Sequence, residues 1–312
     1  MANYKCDVLV IGSGVTGYGA GMYSARFNLK TIVVGKDDGG TINLTDDVAN
    51  YPGFINLTGI ELSTKLKNHA LDYKDIKLIP GEIKELKKTK KGFSAKTDSD
   101  TFESKTVIFA TGAKARRLGI PGEDKLMGKG VHTCALCDGP FYKGKVIGVV
   151  GGSDSAAKEA LLLSRFAKKV YIIYRGDKIH PEPINEKRIE RDKKIEVIPN
   201  TNLKDFKGEK SLTSISLDKP YKGKSELKLD GVFIEIGWIP LSDLAKNVGV
   251  KLNKKKEIII NKNSETNIKG FFAAGDVVDT TFKQAITGVA EGVTASFYAY
   301  QYIENEKGGT KQ

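Results

Sequence analysis

The chain has 312 residues, 40% of them hydrophobic, enough for two ordinary domains with real cores. Lys and Arg number 50 against 38 Asp and Glu, a formal charge of +12, yet no basic arm with interleaved aromatics appears, which speaks against a nucleic-acid partner and leaves room for an acidic protein one. No stretch approaches the ~20 apolar residues of a membrane span, no signal peptide is visible, and three cysteines are too few for a secreted disulfide framework, so a soluble cytoplasmic protein is expected.

Residues 7–11 are predicted as a short, buried parallel strand. They run into the turn Gly12-Ser13-Gly14-Val15-Thr16-Gly17, a helix over 20–27 and a strand over 31–34. This is a βαβ unit of dinucleotide-binding type. Gly12 permits the tight turn, Gly14 lets the backbone approach a pyrophosphate, and Gly17 lets the helix pack on the strand. The second strand ends at Gly35 with no acidic residue for a ribose hydroxyl; Asp37 and Asp38 follow slightly late. Residues 106–113 read as a strand ending in a Gly turn, and β-rich meanders fill parts of 75–105 and 195–235.

A second βαβ unit starts at Lys145, with strands over 146–150 and 170–174, a turn over 151–156 and a helix over 158–166. The chain therefore carries two nucleotide folds in succession. Ser153 occupies the middle glycine position of the second turn, where its Cβ weakens pyrophosphate binding. Residues 270–276 are another strand and Gly turn, followed by a helix over 284–302 and a polar, frayed tail over 304–312.

Between the two nucleotide turns stands Cys134-Ala135-Leu136-Cys137-Asp138. Two thiols at this spacing close a small disulfide loop reversibly, and a carboxylate beside them can hand a proton to a leaving thiolate. A zinc site needs about four ligands, and only Cys6 and three scattered histidines are left to supply them. Inert core thiols fit poorly beside Asp138, so a redox pair is the favoured reading. His132 reads as an ordinary exposed histidine, with thiolate stabilisation as the other reading. Cys6 reads as a buried thiol at the head of the first strand.

Further segments carry a resemblance. They are Gly39-Gly40 with Thr45 and Asn50-Tyr51-Pro52-Gly53; Ala110-Thr111-Gly112-Ala113 with Arg117 and Ile120-Pro121-Gly122; Asp230-Gly231-Val232-Phe233; and Gly275-Asp276 with Lys283-Gln284-Ala285. With the Cys pair and the two Gly turns, the chain resembles, over nearly its whole length, the low-molecular-weight thioredoxin reductases. These are class II FAD-dependent pyridine nucleotide-disulfide oxidoreductases. The resemblance implies an α/β fold of two Rossmann-like, doubly wound, three-layer nucleotide-binding domains, the second inserted in the first. An FAD domain is expected over 1–115 and 244–312, and a pyridine-nucleotide domain carrying the Cys pair over 116–243.

By the same resemblance FAD is held by Gly12, Gly14, Gly17, Gly39, Gly40, Thr45, Asn50, Ala110, Thr111, Gly112, Gly275, Asp276, Lys283, Gln284 and Ala285. Lys283 stands where the family usually has Arg. Cys137 lies nearest the flavin, Cys134 is the nucleophile toward thioredoxin, and Asp138 is the general acid and base. The insert must turn so that the disulfide meets flavin and partner alternately, and a homodimer is implied. Gly151, Gly152, Ser153, Asp154, Ser155 and Arg175 are the expected pyridine-nucleotide contacts. Here the chain departs from the family: one arginine, Arg175, remains of the three that clamp the 2′-phosphate of NADPH, with Lys178 nearby and Asp177 opposing. NADPH is the first expectation for the donor; NADH, ferredoxin or a deazaflavin, or action as a flavin dithiol oxidase, are the alternatives. A flavoprotein redox sensor is the non-enzymatic one.

Overall fold

A computed structural model of the protein describes residues 2–45 and 48–308. Of the expected polar tail, residues 304–308 continue the last helix, and 309–312 lie outside the described residues. Two compact units divide the chain, one of residues 1–114 with 239–312, the other of residues 115–238. From the sequence, the inserted domain is bounded at 116–243. The return falls earlier because Leu241 already belongs to the first unit. Its N–H donates to the Gly112 carbonyl at 3.0 Å, and its carbonyl accepts from Thr111 Oγ1 at 2.9 Å.

The first unit begins with β1 (Ala2–Ile11), α1 (Val15–Arg26) and β2 (Thr31–Gly35). Next come α2 (Gly59–Leu71), β3 (Ile76–Pro80) and the meander β4 (Glu85–Thr89), β5 (Gly92–Lys96), β6 (Asp100–Phe109). The sheet runs β3-β2-β1-β6-β5-β4. Its β3-β2-β1-β6 part is parallel, and β5 and β4 continue it antiparallel. β1 starts five residues earlier than the expected residue 7, because β6 pairs with it from Ala2↔Asp100 through Ile11↔Phe109. Cys6 is consequently in mid-strand rather than at its head, and burial raises its thiol to about 12.

The apolar run at residues 8–11 is continuous because both faces of β1 are covered. Leu9 and Ile11 pack with Phe102, Phe109 and Phe271 on one face; Val8 and Val10 pack with Ala20, Ala25, Ala295 and Ala299 on the other.

The second unit follows β7 (Ala113–Ala115), the outgoing crossing. It contains α3 (Glu123–Leu126), β8 (Val131–His132), α4 (Ala135–Asp138), β9 (Val146–Val150), α5 (Asp154–Ser164), β10 (Lys169–Ile173), α6 (Pro183–Arg191) and β11 (Ile195–Ile198). An antiparallel sheet of β12 (Leu203–Lys207), β13 (Ser214–Tyr221) and β14 (Lys224–Lys228) comes next, then β15 (Gly231–Ile234). The main sheet is parallel in the order β11-β10-β9-β15-β8. It too is covered on both faces: Ile147 and Val149 pack against α5, while Val150 and Val232 face the β12–β14 side.

The chain returns through β16 (Trp238–Pro240) and α7 (Asp243–Asn247). β17 (Phe271–Ala273) then pairs in parallel with β6, and α8 (Ala285–Gly308) lies along α1. Gly19, Gly21 and Gly292 let these layers approach closely; a Cβ on Gly292, for example, would meet the Thr16 carbonyl at 2.6 Å.

Candidate redox and nucleotide sites

In the first unit the expected FAD residues converge at the carboxyl ends of β1, β6 and β17. Gly12 has φ +119°, and a Cβ there would lie 2.1 Å from the Ala110 carbonyl oxygen. Only glycine lets the ends of β1 and β6 close in this way. A Cβ on Gly17 would meet the Gly12 oxygen at 1.9 Å. Gly14 is the N-cap of α1 without a side-chain cap, and it bridges to Gly39. The first N–H groups of α1 are left uncovered there. Gly39 precedes the 3-10 turn Gly40–Leu44, and the Thr45 carbonyl accepts from Gly59 N–H at 3.0 Å. Asn50 Nδ2 donates to Gln284 Oε1 at 3.0 Å, and Ala285 opens α8 beside it. Ala110 N–H donates to the Ile11 carbonyl at 2.8 Å, and at Gly112 a Cβ would find no atom within 4 Å.

Gly275 N–H donates to Glu291 Oε2 at 2.8 Å. The adjoining Asp276 side chain is open to solvent, yet the protein packed around it raises its carboxyl above the ordinary value, against the opposing charge of Lys283. An acceptor in an open, partly desolvated cleft suits a sugar or ribityl hydroxyl. The uncovered N–H groups at Gly14, the open space at Gly112 and this carboxylate together fit a dinucleotide such as FAD. Lys283 is differently employed: its Nζ pairs with Glu257 at 3.1 Å and donates to the carbonyls of Asp276 and Val278.

The missing ribose acid has a steric cause. A Cβ on Gly35 would lie 2.4 Å from the Ser13 nitrogen, so the strand end admits no side chain. Asp38 does not replace it, since its carboxylate accepts from the Tyr18 hydroxyl and Lys67 Nζ.

In the second unit Cys134 and Cys137 form a disulfide across α4. Cys134 caps that turn, its Sγ accepting from Cys137 N–H at 3.1 Å. Cys134 is buried, Cys137 exposed. Three contacts anchor the turn. Ala135 N–H donates to Glu159 Oε1 of α5 at 3.1 Å; Gly139 packs against Leu163; and Asp138 Oδ2 lies 3.0 Å from His132 Nδ1.

The reading of His132 as an exposed residue is corrected here. It is 7% exposed, stacked on Phe233 at 5.2 Å, with Nε2 2.7 Å from the Tyr142 hydroxyl. It is buried because β8 is a true strand beside β15, with His132 opposite Phe233. Burial holds the imidazole below its ordinary value, against the pull of Asp138, and pushes the Tyr142 hydroxyl up to about 12.

Sequence reasoning also missed a pair of carboxyls behind the redox turn. Glu159 and Glu235 are buried against one another with their carboxyls in hydrogen-bonding contact. Burial raises both, and the charge of Glu159 raises Glu235 further. Two such groups share a proton rather than both ionise. The signal was available in the sequence. Position 159 falls between Ala156 and Leu163 on the inward stripe of a helix, and Glu235 interrupts an apolar strand.

The second nucleotide turn repeats the build of the first: a Cβ on Gly151 would meet the Glu235 carbonyl oxygen at 2.1 Å. Gly152 lies under the Tyr174 ring, and its carbonyl accepts from His180 N–H at 2.7 Å. Ser153 is the N-cap of α5 in ordinary extended backbone, φ −85°, so the substitution strains nothing. Ser155 is exposed in the first turn of α5. The charges are less suited to phosphate. Asp154, ionised, accepts from Glu182 N–H and Asn185 Nδ2, each at 2.8 Å, and pairs with Lys158. Lys178 is paired with Glu186 at 2.9 Å, which leaves exposed Arg175 as the arginine at the expected 2′-phosphate position.

The chain belongs to the pyridine nucleotide-disulphide oxidoreductase family, whose model matches residues 6–292. It is 38% identical over 301 residues to the thioredoxin reductase of Bacillus subtilis, covering 96% of this chain and 95% of that one. Among solved structures, Lactococcus lactis thioredoxin reductase (FR conformation) superposes with a TM-score of 0.92 at 35% identity, covering 96% of this chain and 99% of that one. The thioredoxin reductase of T. acidophilum does so with a TM-score of 0.90 at 32% identity, covering 95% and 98%. Among the described residues no His, Cys, Asp and Glu cluster is placed to hold a metal, and no helix is long and apolar enough to cross a membrane.

The Glu159–Glu235 pair generates a prediction. A carboxyl raised in the folded state binds its proton more tightly there than in the unfolded chain. Its contribution is therefore fully present below the ordinary value of 4.5 and is lost as pH rises through the raised folded values. Thermal unfolding from pH 5 to pH 9 is expected to show Glu235→Gln losing less stability than the native protein, by about 2 kcal/mol. Parallel curves for the two proteins would contradict the pairing.

Proposed function

We propose that this protein is an FAD-dependent thioredoxin–disulfide reductase. The observation that carries the reading is the Cys134–Cys137 disulfide on a fixed turn, with the Asp138 carboxylate anchored beside it, in a member of a disulfide oxidoreductase family. The relatives' activity toward thioredoxin supports the choice of partner.

FAD bound in the first unit supplies a two-electron carrier between the donor and this disulfide. The turn at residues 12–17 would offer the first N–H groups of α1 to its pyrophosphate, and Asp276 would accept from one of its hydroxyls. Once the pair is reduced, the Cys134 thiolate attacks the partner's disulfide, forming a mixed disulfide and releasing one partner thiolate. Cys137 then attacks the Cys134 sulfur, which re-forms the intrachain bond and frees the second partner sulfur. Asp138 takes the Cys134 thiol proton and returns one to a leaving thiolate. Cys134 is buried here, so the pair must be presented to flavin and to partner in turn. A homodimer and a cytoplasmic setting complete the reading.

For the donor we propose a pyridine nucleotide, NADPH, held with little selectivity over NADH. Lys178 is already paired with Glu186 and Asp154 puts a negative charge at the turn, so the 2′-phosphate meets one arginine. The same charges give substance to a ferredoxin or deazaflavin as the second reading.

Two outcomes are expected. Cys134→Ser should retain flavin and lose thioredoxin turnover, measured as thiols released from oxidised thioredoxin; normal turnover would remove the role given to that thiol. The kcat/KM for NADPH should exceed that for NADH by no more than about tenfold, the ~1.4 kcal/mol expected of one exposed charge contact. A thousandfold preference would contradict the one-arginine site.

A further inference from the structure

We propose that His132 and Tyr142 form a proton relay behind Asp138, connecting its carboxyl to the cavity beside the redox turn. The inference rests on the acid–base role given above to Asp138 and assigns two residues that act through it.

Two distances and one cavity carry it. Asp138 Oδ2 is 3.0 Å from His132 Nδ1, and His132 Nε2 is 2.7 Å from the Tyr142 hydroxyl. Both ring nitrogens are thus used, each toward a group that can take up or give back a proton. All three residues line a cavity of about 350 Å³, with Lys129, Lys145 and Ser211 on its wall, roomy and polar enough for water. The ring is clamped between Phe233 and Tyr142, so it can change tautomer but not turn away.

The charged neighbours are few. Asp230 faces Tyr142, but its carboxylate already accepts from Val146 N–H at 2.8 Å. Lys145 Nζ lies 5.6 Å from the Tyr142 ring centre. Burial keeps the imidazole and the phenol neutral, the state a relay of this kind requires.

The step balances. Before the step His132 carries its proton on Nε2, donated to the Tyr142 oxygen, while Nδ1 is free to accept from Asp138 and the phenolic hydrogen points to the cavity. When Asp138 takes the proton of the Cys134 thiol, it passes one to Nδ1. Nε2 gives its own proton to the Tyr142 oxygen, and the phenolic proton leaves to cavity water. One proton enters at the thiol and one departs at the cavity, with the imidazole neutral before and after. The reverse sequence reloads Asp138 for the leaving thiolate. His132 and Tyr142 touch no substrate; they are positioning and proton-transfer residues.

The test uses full-length protein reduced chemically and freed of reductant, so neither donor nor flavin reduction enters. Exchange with oxidised thioredoxin is followed by stopped flow across pH 5.5–9 for the native protein, His132→Ala, Tyr142→Phe and Cys134→Ser. The relay predicts a roughly tenfold slower exchange for His132→Ala and Tyr142→Phe, with an altered pH profile. It also predicts recovery of His132→Ala by added imidazole, which the vacated site and cavity can admit. Native rates and profile in both variants would overturn the relay, as would a slowed His132→Ala that imidazole fails to restore. Should His132→Ala not fold, the shape-preserving Tyr142→Phe decides by its pH profile. Undiminished exchange by Cys134→Ser would instead strike at the underlying reaction, a distinct result.

Discussion

The whole site hangs on how a four-residue turn is held. A helix this short has no stability of its own, so α4 keeps its shape through what grips it from outside. Glu159 takes the first amide of the turn, His132 holds the carboxylate at its end, and Leu163 fills the space beside Gly139. The grips come from two elements: the helix leaving the nucleotide turn gives the first and third, a strand edge the second. The sulfurs are therefore fixed relative to Asp138 by the main sheet of their own unit rather than by local propensity. That is the preorganisation thiol–disulfide exchange needs, since a misplaced acid or sulfur costs rate steeply.

Both units use one device for the nucleotide. A strand ends in a glycine whose missing Cβ lets a carbonyl of the adjoining strand end approach: Ala110 behind Gly12, Glu235 behind Gly151. The resulting turn delivers a helix N-terminus to the edge of a parallel sheet. What differs is charge. The first turn leaves its amides uncovered and has an open carboxylate nearby for hydroxyls. The second has Asp154 in its first helical turn, tied to residues 182 and 185, and its nearby lysines spoken for. The fold is retained in both places; the charge set beside the turn is not.

The features legible in the sequence were those set by local rules. Apolar runs bounded by glycine turns gave the parallel strands, and the Cys-Ala-Leu-Cys spacing gave the disulfide. What escaped depended on partners distant in the chain. β1 runs back to Ala2 because β6 pairs with it along its whole length. His132 looked solvated because two residues of strand are too few to show a period, and the ring stacked over it belongs to Phe233, a hundred residues on. Gly35 looked like a missing acid until Ser13 appeared against it. Glu159 was the exception: helical periodicity alone marks it as inward-facing.

The central claim is that one chain stores two electron pairs, one in a flavin and one in the Cys134–Cys137 bond. Anaerobic reductive titration of the flavin-loaded protein, followed by absorbance and by thiol counting, measures this directly. The account predicts uptake of four electrons per chain with two new thiols. Saturation after two electrons, with no thiols formed, would contradict it.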